Sequence, residues 1–519
     1  MQATGNNEGT ELLTANSNAA LEKIQSFSGK YPKQIWALFF SEMWERFCFY
    51  GMRGMLTFFM VNQLFMQQDK ANLQYGATQA FVYAFTFIGG LFADKILGFR
   101  KSLFWGGLLM IAGSLILAYD PRAFFFWGIS FTVIGTGFFK PNISTMVGAL
   151  YKTNDPRRDA GFSLFYSGIN IGALLGGYVC IAVGKGDLGS SIIPEALRWN
   201  VAFGFAALVM AISLLTFVFT QKTMGPIGLS PSKNEAGKKT SWKVWATFIG
   251  SLAVIPIIMK MVSKTEYTDY FMYTIGPFTL IYLIYEMTKH TKVEVQKLGA
   301  AMVFILFSIL FWAFYEQSGG SLSLFAANNL NKELMGGMIH ADPNGVNNSA
   351  NALFVIIFSP LLGLLWIGMN KRKIEPNTIV KFGIGFIVLA LAFYVFYTTR
   401  FFADVKGITS LDIFTLAYFV ITFGELCISP IGLSIMTKLS PQRLQGVMMG
   451  MWFLASAYGQ YVAGILGANI ASASAKSTNL EALQVYCDGY KQLAIYALIL
   501  GVIMIAISPL VKKWMHGVK

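Results

Sequence analysis

Along most of the chain, long apolar runs alternate with short polar or glycine-rich connections. A spanning helix needs about 20 mostly apolar residues, because each adds ~1.5 Å towards a hydrocarbon core about 30 Å thick. Bounded by charge and turn signals, the runs predict helices near 34–66, 75–98, 103–119, 123–150, 158–184 and 196–220. Two more fall near 243–260 and 267–288, and a last six near 298–328, 350–370, 377–397, 412–437, 444–470 and 489–512, fourteen in all. The pattern therefore predicts an all-α polytopic membrane protein. It has a tail over 1–33, a six-helix bundle over 34–220, a linker with two additional transmembrane helices over 221–297, a second six-helix bundle over 298–512 and a tail over 513–519. Segment 221–242 reads as connecting chain because Gly, Pro, Ser and Lys dominate it. Two bundles of six suggest repeats with a site between them near the midplane.

Composition agrees with the pattern. The 519 residues are 55% hydrophobic and only 13% charged, with a mean hydropathy of +0.54, which excludes an ordinary soluble domain. The formal net charge of +14 comes from basic residues gathered in alternate loops. These are Lys95/Arg100/Lys101, Lys152/Arg157/Arg158, Lys233/Lys238/Lys239/Lys243, Lys289/Lys292/Lys297, Lys371/Arg372/Lys373, Lys438/Arg443 and Lys512/Lys513. Basic loops stay inside, so both termini are expected in the cytoplasm and the chain in the cell (inner) membrane. The charge is then a topological signal and not a nucleic-acid surface. The polar start carries no basic region followed by a short apolar core, so no cleaved signal peptide is expected. Cys48, Cys180, Cys427 and Cys487 are scattered without metal-ligand spacing and read as small buried hydrophobes. His290, His340 and His516 fall in predicted loops or tails, so neither a metal, a cofactor nor histidine catalysis is expected within the membrane.

A charge at the centre of a spanning helix costs roughly 2.5–3.5 kcal/mol on insertion scales, so intramembrane charges are read as functional. The first helix carries Glu42, Glu45, Arg46 and Arg53, the fourth Lys140, the seventh Glu316 and the tenth of the main spans Glu425. Positions 42, 45, 46, 50 and 53 follow helical spacing and form one stripe that faces protein. Glu42 and Arg46 are one turn apart and can pair. Arg53 lies about 16 Å further along the axis and needs a partner from another helix, for which Glu316 is the candidate. Lys140 and Glu425 repeat that logic. Two opposite-sign pairs between the halves read as latches opening in turn, since fixed buried ion pairs contribute little over apolar packing. Protonation of Glu316 would release Arg53 for a substrate carboxylate.

Several segments resemble those of one family. "GGLFADKILGFRKS" (89–102) resembles the glycine–aspartate–basic loop of the major facilitator superfamily. "EMWERF" (42–47) resembles the first-helix ExxER motif of the proton-dependent oligopeptide transporters, and "GFFKPNIS" (137–144) their fourth-helix lysine motif. "FYSGINIGALLGG" (165–177), "FWAFYEQSGGS" (311–321) and "GELCISPIGLS" (424–434) resemble the signatures of the fifth, seventh and tenth helices.

The resemblance implies the major facilitator fold and, as function, a symporter that imports di- and tripeptides with protons by alternating access, with two inserted helices typical of bacterial members. By position, Glu42, Glu45, Arg46 and Glu316 match proton-coupling residues. Arg53 and Glu316 match the extracellular gate, and Lys140 and Glu425 the intracellular gate and pocket. Tyr50, Tyr83, Asn170, Trp312, Asn351, Ser429 and Trp452 match substrate-binding positions. Phe49 departs from the family, standing where a tyrosine is common, and Ala352 stands where a proline is common. The expected partners are di- and tripeptides, protons and the lipid bilayer, with a monomer as the expected unit. Among rivals, nitrate would not need Glu425, and a neutral sugar would not need Arg53 and Lys140 together. An enzyme would need a nucleophile–base constellation that the sequence lacks.

Overall fold

A computed structural model describes residues 18–152, 155, 157–230, 242–429, 432–441, 444–474 and 478–518. The first 17 residues, Lys233, Lys238, Lys239 and Arg443 lie outside the described residues. The protein is all-α apart from a two-residue antiparallel pairing of Glu333–Leu334 with Ile339–His340 and an isolated Leu330–Thr409 bridge among the described residues. Its long helices are α1 (Gln34–Asn62), α2 (Gln68–Phe92), α3 (Phe99–Tyr119), α4 (Phe125–Ala149), α5 (Arg158–Lys185) and α6 (Arg198–Thr220). Next come α7 (Trp242–Ser263) and α8 (Thr265–Met287). The last are α9 (Lys292–Tyr315), α10 (Pro343–Lys371), α11 (Thr378–Thr398), α12 (Leu411–Ile428), α13 (Gln445–Ser474) and α14 (Asn479–Ala506). Among the described residues, 10 spans are long and apolar enough to cross a membrane. Helix α1 is not among them, consistent with the four charges on its stripe.

Helix starts follow local chemistry. Thr291 and Glu294 form a capping box that opens α9, and Thr478 with Glu481 does the same for α14. Asp342 caps α10 by accepting from Gly345 N at 2.9 Å, with Pro343 in the first helical turn. That start lies seven residues before the predicted 350. Helix α2 also begins early, at Gln68, because its polar first turns bury Asn72, Gln74 and Gln79 within protein. The largest departure is in the seventh predicted span. Instead of one helix over 298–328, α9 stops at Tyr315, a 3-10 turn covers Glu316–Gly319, and a short helix resumes over Ser321–Asn329.

Contacts divide the chain into two compact units. One comprises Met1–Met52, Ala84–Gly176 and Ser191–Met259; the other comprises Arg53–Tyr83, Gly177–Ser190 and Lys260–Lys519. The boundaries therefore run through α1, α2 and α5. In the first unit α3 packs on α4 and α6. Its approach to α4 uses facing glycines: a Cβ on Gly106 would come 2.5 Å from Gly135 O, and one on Gly135 would come 2.7 Å from Gly106 O. In the second unit α11 packs on α12 and α14, and α9 on α13. An aromatic cluster of Phe325, Phe393, Phe396, Phe414, Tyr418 and Tyr490 fills its core.

Candidate functional site

In the first unit the site begins with how α1 and α5 meet. Gly168, Gly172 and Gly176 recur every fourth residue on α5. A Cβ on Gly168 would come 2.8 Å from the ring of Phe39, and one on Gly176 would come 2.7 Å from Phe47 Cα. At Gly172 it would strike the carbonyl of Met43 and come within 2.8 Å of Arg46 Cβ. The glycine ridge seats the charged turn of α1 against backbone. There Arg46 Nε lies 2.7 Å from Glu42 Oε1 and 2.8 Å from Glu45 Oε2, and all three side chains are buried. The ring of Phe49 stands 5.7 Å from the guanidinium carbon, a cation–π contact with Arg46.

Two carboxyl groups share one guanidinium in this site. Glu42 Oε2, Glu45 Oε1 and Arg46 Nη2 have no hydrogen-bond partner among the described residues. Lys140 lies on α4 of the same unit. Tyr50 packs edge-on against Phe49 at 5.3 Å. Asn170 is buried and donates to Tyr166 O at 2.9 Å, one turn back on its own helix.

In the second unit Arg53 forms an ion pair through Nη2 with Glu316 Oε2. Its Nε donates to Tyr75 Oη at 2.7 Å. The helix break is what presents Glu316, since it ends α9 at the turn. Thr57 Oγ1 donates to Gly319 O, and a Cβ at Gly319 would strike the phenol of Tyr75. Glycine at 319 is therefore a condition of this packing.

A second cluster surrounds Glu425 on α12. Its Oε2 accepts from Tyr315 Oη at 2.6 Å and from Asn351 Nδ2 at 2.9 Å, and the same amide donates to Thr422 Oγ1 at 3.1 Å. Trp312 packs edge-on against Tyr315 at 5.2 Å. Asn351 thus meets Glu425 directly, and Trp312 is linked to it through Tyr315. Trp452 is buried in the core of the unit. Ser429 ends α12, donating from its backbone to Glu425 O at 2.9 Å, and its side chain is exposed. Tyr83 is half-buried on α2.

Sequence reasoning missed three participants. Tyr75 and Tyr315 are phenols that hold Arg53 and Glu425; for Tyr315 the i+3 spacing from Trp312 was the available signal. The third is an ion pair between Lys185 Nζ, at the end of α5, and Asp342 Oδ2 at 2.5 Å, with Asn344 Oδ1 accepting from the same ammonium at 3.1 Å. Beside it Lys332 pairs with Asp187 at 2.8 Å, and that hydrogen bond raises Lys332 above the ordinary lysine range. Both pairs sit at predicted helix ends and loops, where charge is unremarkable in sequence.

Long apolar helices with acid–arginine sets in their interior are the build of a polytopic membrane transporter, not of an enzyme. The family model PTR2, the POT family, matches residues 100–484, and this chain belongs to that family. It is 33% identical over 465 residues to the peptide transporter YePEPT of Yersinia enterocolitica, covering 85% of this chain and 88% of the relative. It is 28% identical over 491 residues to dipeptide and tripeptide permease B of Aeromonas hydrophila, covering 94% of each. Among solved structures it is similar to a crystal structure of the peptide transporter POT in complex with sulfate, with a TM-score of 0.76 and 30% identity over 95% of this chain and 98% of that one. A POT family transporter in complex with 5-aminolevulinic acid also superposes, with a TM-score of 0.76 and 27% identity over 94% of this chain and 98% of that chain.

Proposed function

We propose that this protein is a proton-coupled symporter that imports di- and tripeptides across the inner membrane by alternating access. Fourteen spans ordered six, two and six, with both termini cytoplasmic, complete the reading. The observation that carries the substrate class is the presence of Arg53 and Glu425 in one unit, each held by a phenol. A short peptide offers a fixed ammonium and a fixed carboxylate around variable side chains. Glu425, held by Tyr315 and Asn351, suits the ammonium; Arg53 and Lys140 suit the carboxylate. Tyr50, Tyr83, Asn170, Trp312, Asn351, Ser429 and Trp452 are the further residues assigned to substrate contact. Few shared contacts give broad specificity and modest affinity.

Protons enter through the surplus carboxylate of Glu42 and Glu45 beside Arg46. A proton on Glu316 breaks its pair with Arg53 and frees the guanidinium, while Lys140 and Glu425 close and open the cytoplasmic side. One proton crossing roughly 150 mV supplies about 3.5 kcal/mol, and each pH unit adds ~1.4, enough to concentrate a peptide several hundredfold.

The test is uptake of labelled dialanine into proteoliposomes with an acidic exterior and an inside-negative potential, beside a Glu42→Gln variant. Wild type is expected to concentrate the peptide, and the variant to exchange it without concentrating it. Absence of proton-driven uptake of any short peptide by wild type would overturn the assignment.

A further inference from the structure

The inserted helix α7 borders a cavity that belongs to none of the sites above. It lies within the first unit, encloses about 830 Å³, and is lined by α2 with its continuation, by Phe138 of α4, and by α7. Its walls are apolar, with Phe85, Ile88, Phe92 and Val254 among them, while Lys95, Lys243 and Trp242 also line it. Nothing fills it from α7 at Gly250, where a Cβ would meet no atom within 4 Å. Helix α7 is held in place from the side, by Trp105 of α3 donating to Ser251 Oγ at 2.9 Å and stacking on Phe248 at 4.5 Å. Only 22% of its span is buried by protein, against 56% for the span Lys292–Asn329.

Length and charge together identify an occupant. From Phe85 to Lys95 the wall rises about 15 Å, and from Trp242 to Val254 about 18 Å, close to half of a hydrocarbon core about 30 Å thick. The groove is therefore one leaflet deep. Lys95 and Lys243 stand at helix ends on the same, cytoplasmic, side by the positive-inside pattern, and tryptophan favours the headgroup level. Apolar walls of one leaflet's depth with two ammonium groups at the headgroup end match an anionic phospholipid. We propose that this groove binds an anionic phospholipid, its acyl chain along Phe85, Ile88, Phe92 and Gly250 and its phosphate between Lys95 and Lys243. The inserted helix thereby acts as one wall of a lipid site.

Native mass spectrometry of the purified full-length protein tests this, with phosphatidylglycerol and phosphatidylcholine of identical chains added in turn. Wild type is expected to prefer phosphatidylglycerol by about 30-fold, equivalent to ~1 kcal/mol for each lysine. The Lys95→Gln/Lys243→Gln variant is expected to bind both lipids alike. Gly250→Trp, which fills the chain path and leaves both charges, is expected to lose phosphatidylglycerol as well. Equal retention of the two lipids by wild type overturns the proposal, as does wild-type preference for phosphatidylglycerol in either variant.

Discussion

Arg53 shows how one residue can be committed to two partners. Its Nη2 holds Glu316 while its Nε donates to Tyr75, so the guanidinium has a fixed orientation that a lysine would not have. Tyr75 is fully buried, and Tyr75→Phe removes only the acceptor. A hydrogen bond to a charged group contributes about 1.5–3 kcal/mol, so the Arg53–Glu316 pair should lose about tenfold or more in population. If the Arg53–Glu316 pair gates transport as proposed, dialanine uptake should fall by about tenfold at unchanged protein abundance; unchanged uptake would show that Tyr75 does not serve that pair. Away from the membrane, hydrogen bonds from Arg157 hold the Asp155 carboxyl down at about 2, below the unfolded value near 3.9. A depressed carboxyl contributes stability that is complete above the unfolded value and lost as pH falls through the folded one. Arg157 also donates to Phe27 O and Gly29 O, each at 3.0 Å. Hydrogen exchange of the amides around Phe27–Gly29, corrected for intrinsic rate, should therefore be alike at pH 5 and pH 7 and faster at both in Asp155→Asn.

Among elements, the contact of α5 with α1 determines whether the acid–arginine site can assemble. At Gly172 an added methyl meets the carbonyl of Met43, which cannot turn aside as a side chain can. Gly172→Ala should cost about 1–3 kcal/mol as overpacking, lower the melting temperature in detergent and abolish uptake. At Gly90 a Cβ would sit 3.6 Å from Pro141 in ordinary contact, so Gly90→Ala should melt like wild type; equal melting of both variants would refute the ridge. The glycines at 168, 172 and 176 were visible in the sequence as a signature, but their partner on α1 was not. The break in α9 was hidden for a similar reason. "FWAFYEQSGGS" is apolar enough to continue a helix, and only the packing of Gly319 under Tyr75 and Thr57 shows why it stops. The early start of α2 was missed because a polar turn looks like a loop until protein covers it.

For the whole molecule, orientation is the property most open to direct measurement. The four cysteines are buried, so an introduced cysteine reports with little background. Arg372→Cys, in the connection between α10 and α11, should react with a membrane-impermeant maleimide only after cells are permeabilised. Val405→Cys, 91% exposed between α11 and α12, should react in intact cells. The reverse pattern would invert the topology and with it the direction of the gates.

Hydropathy alone determined that the chain is a helical membrane protein, because the cost of apolar surface in water and of unpaired backbone in lipid depends on composition and period, not on neighbours. The charged stripe of α1 was legible for the same reason: helical spacing is a local property of the chain. What spacing could not supply was the company each charge keeps. Which oxygen of Glu425 takes the bonds of Tyr315 and Asn351, that Tyr75 steadies Arg53, and that Lys185 reaches Asp342 across 157 positions of sequence were decided by tertiary structure. Those contacts join residues far apart in the chain, and only the packing of helix against helix brings them within hydrogen-bond reach.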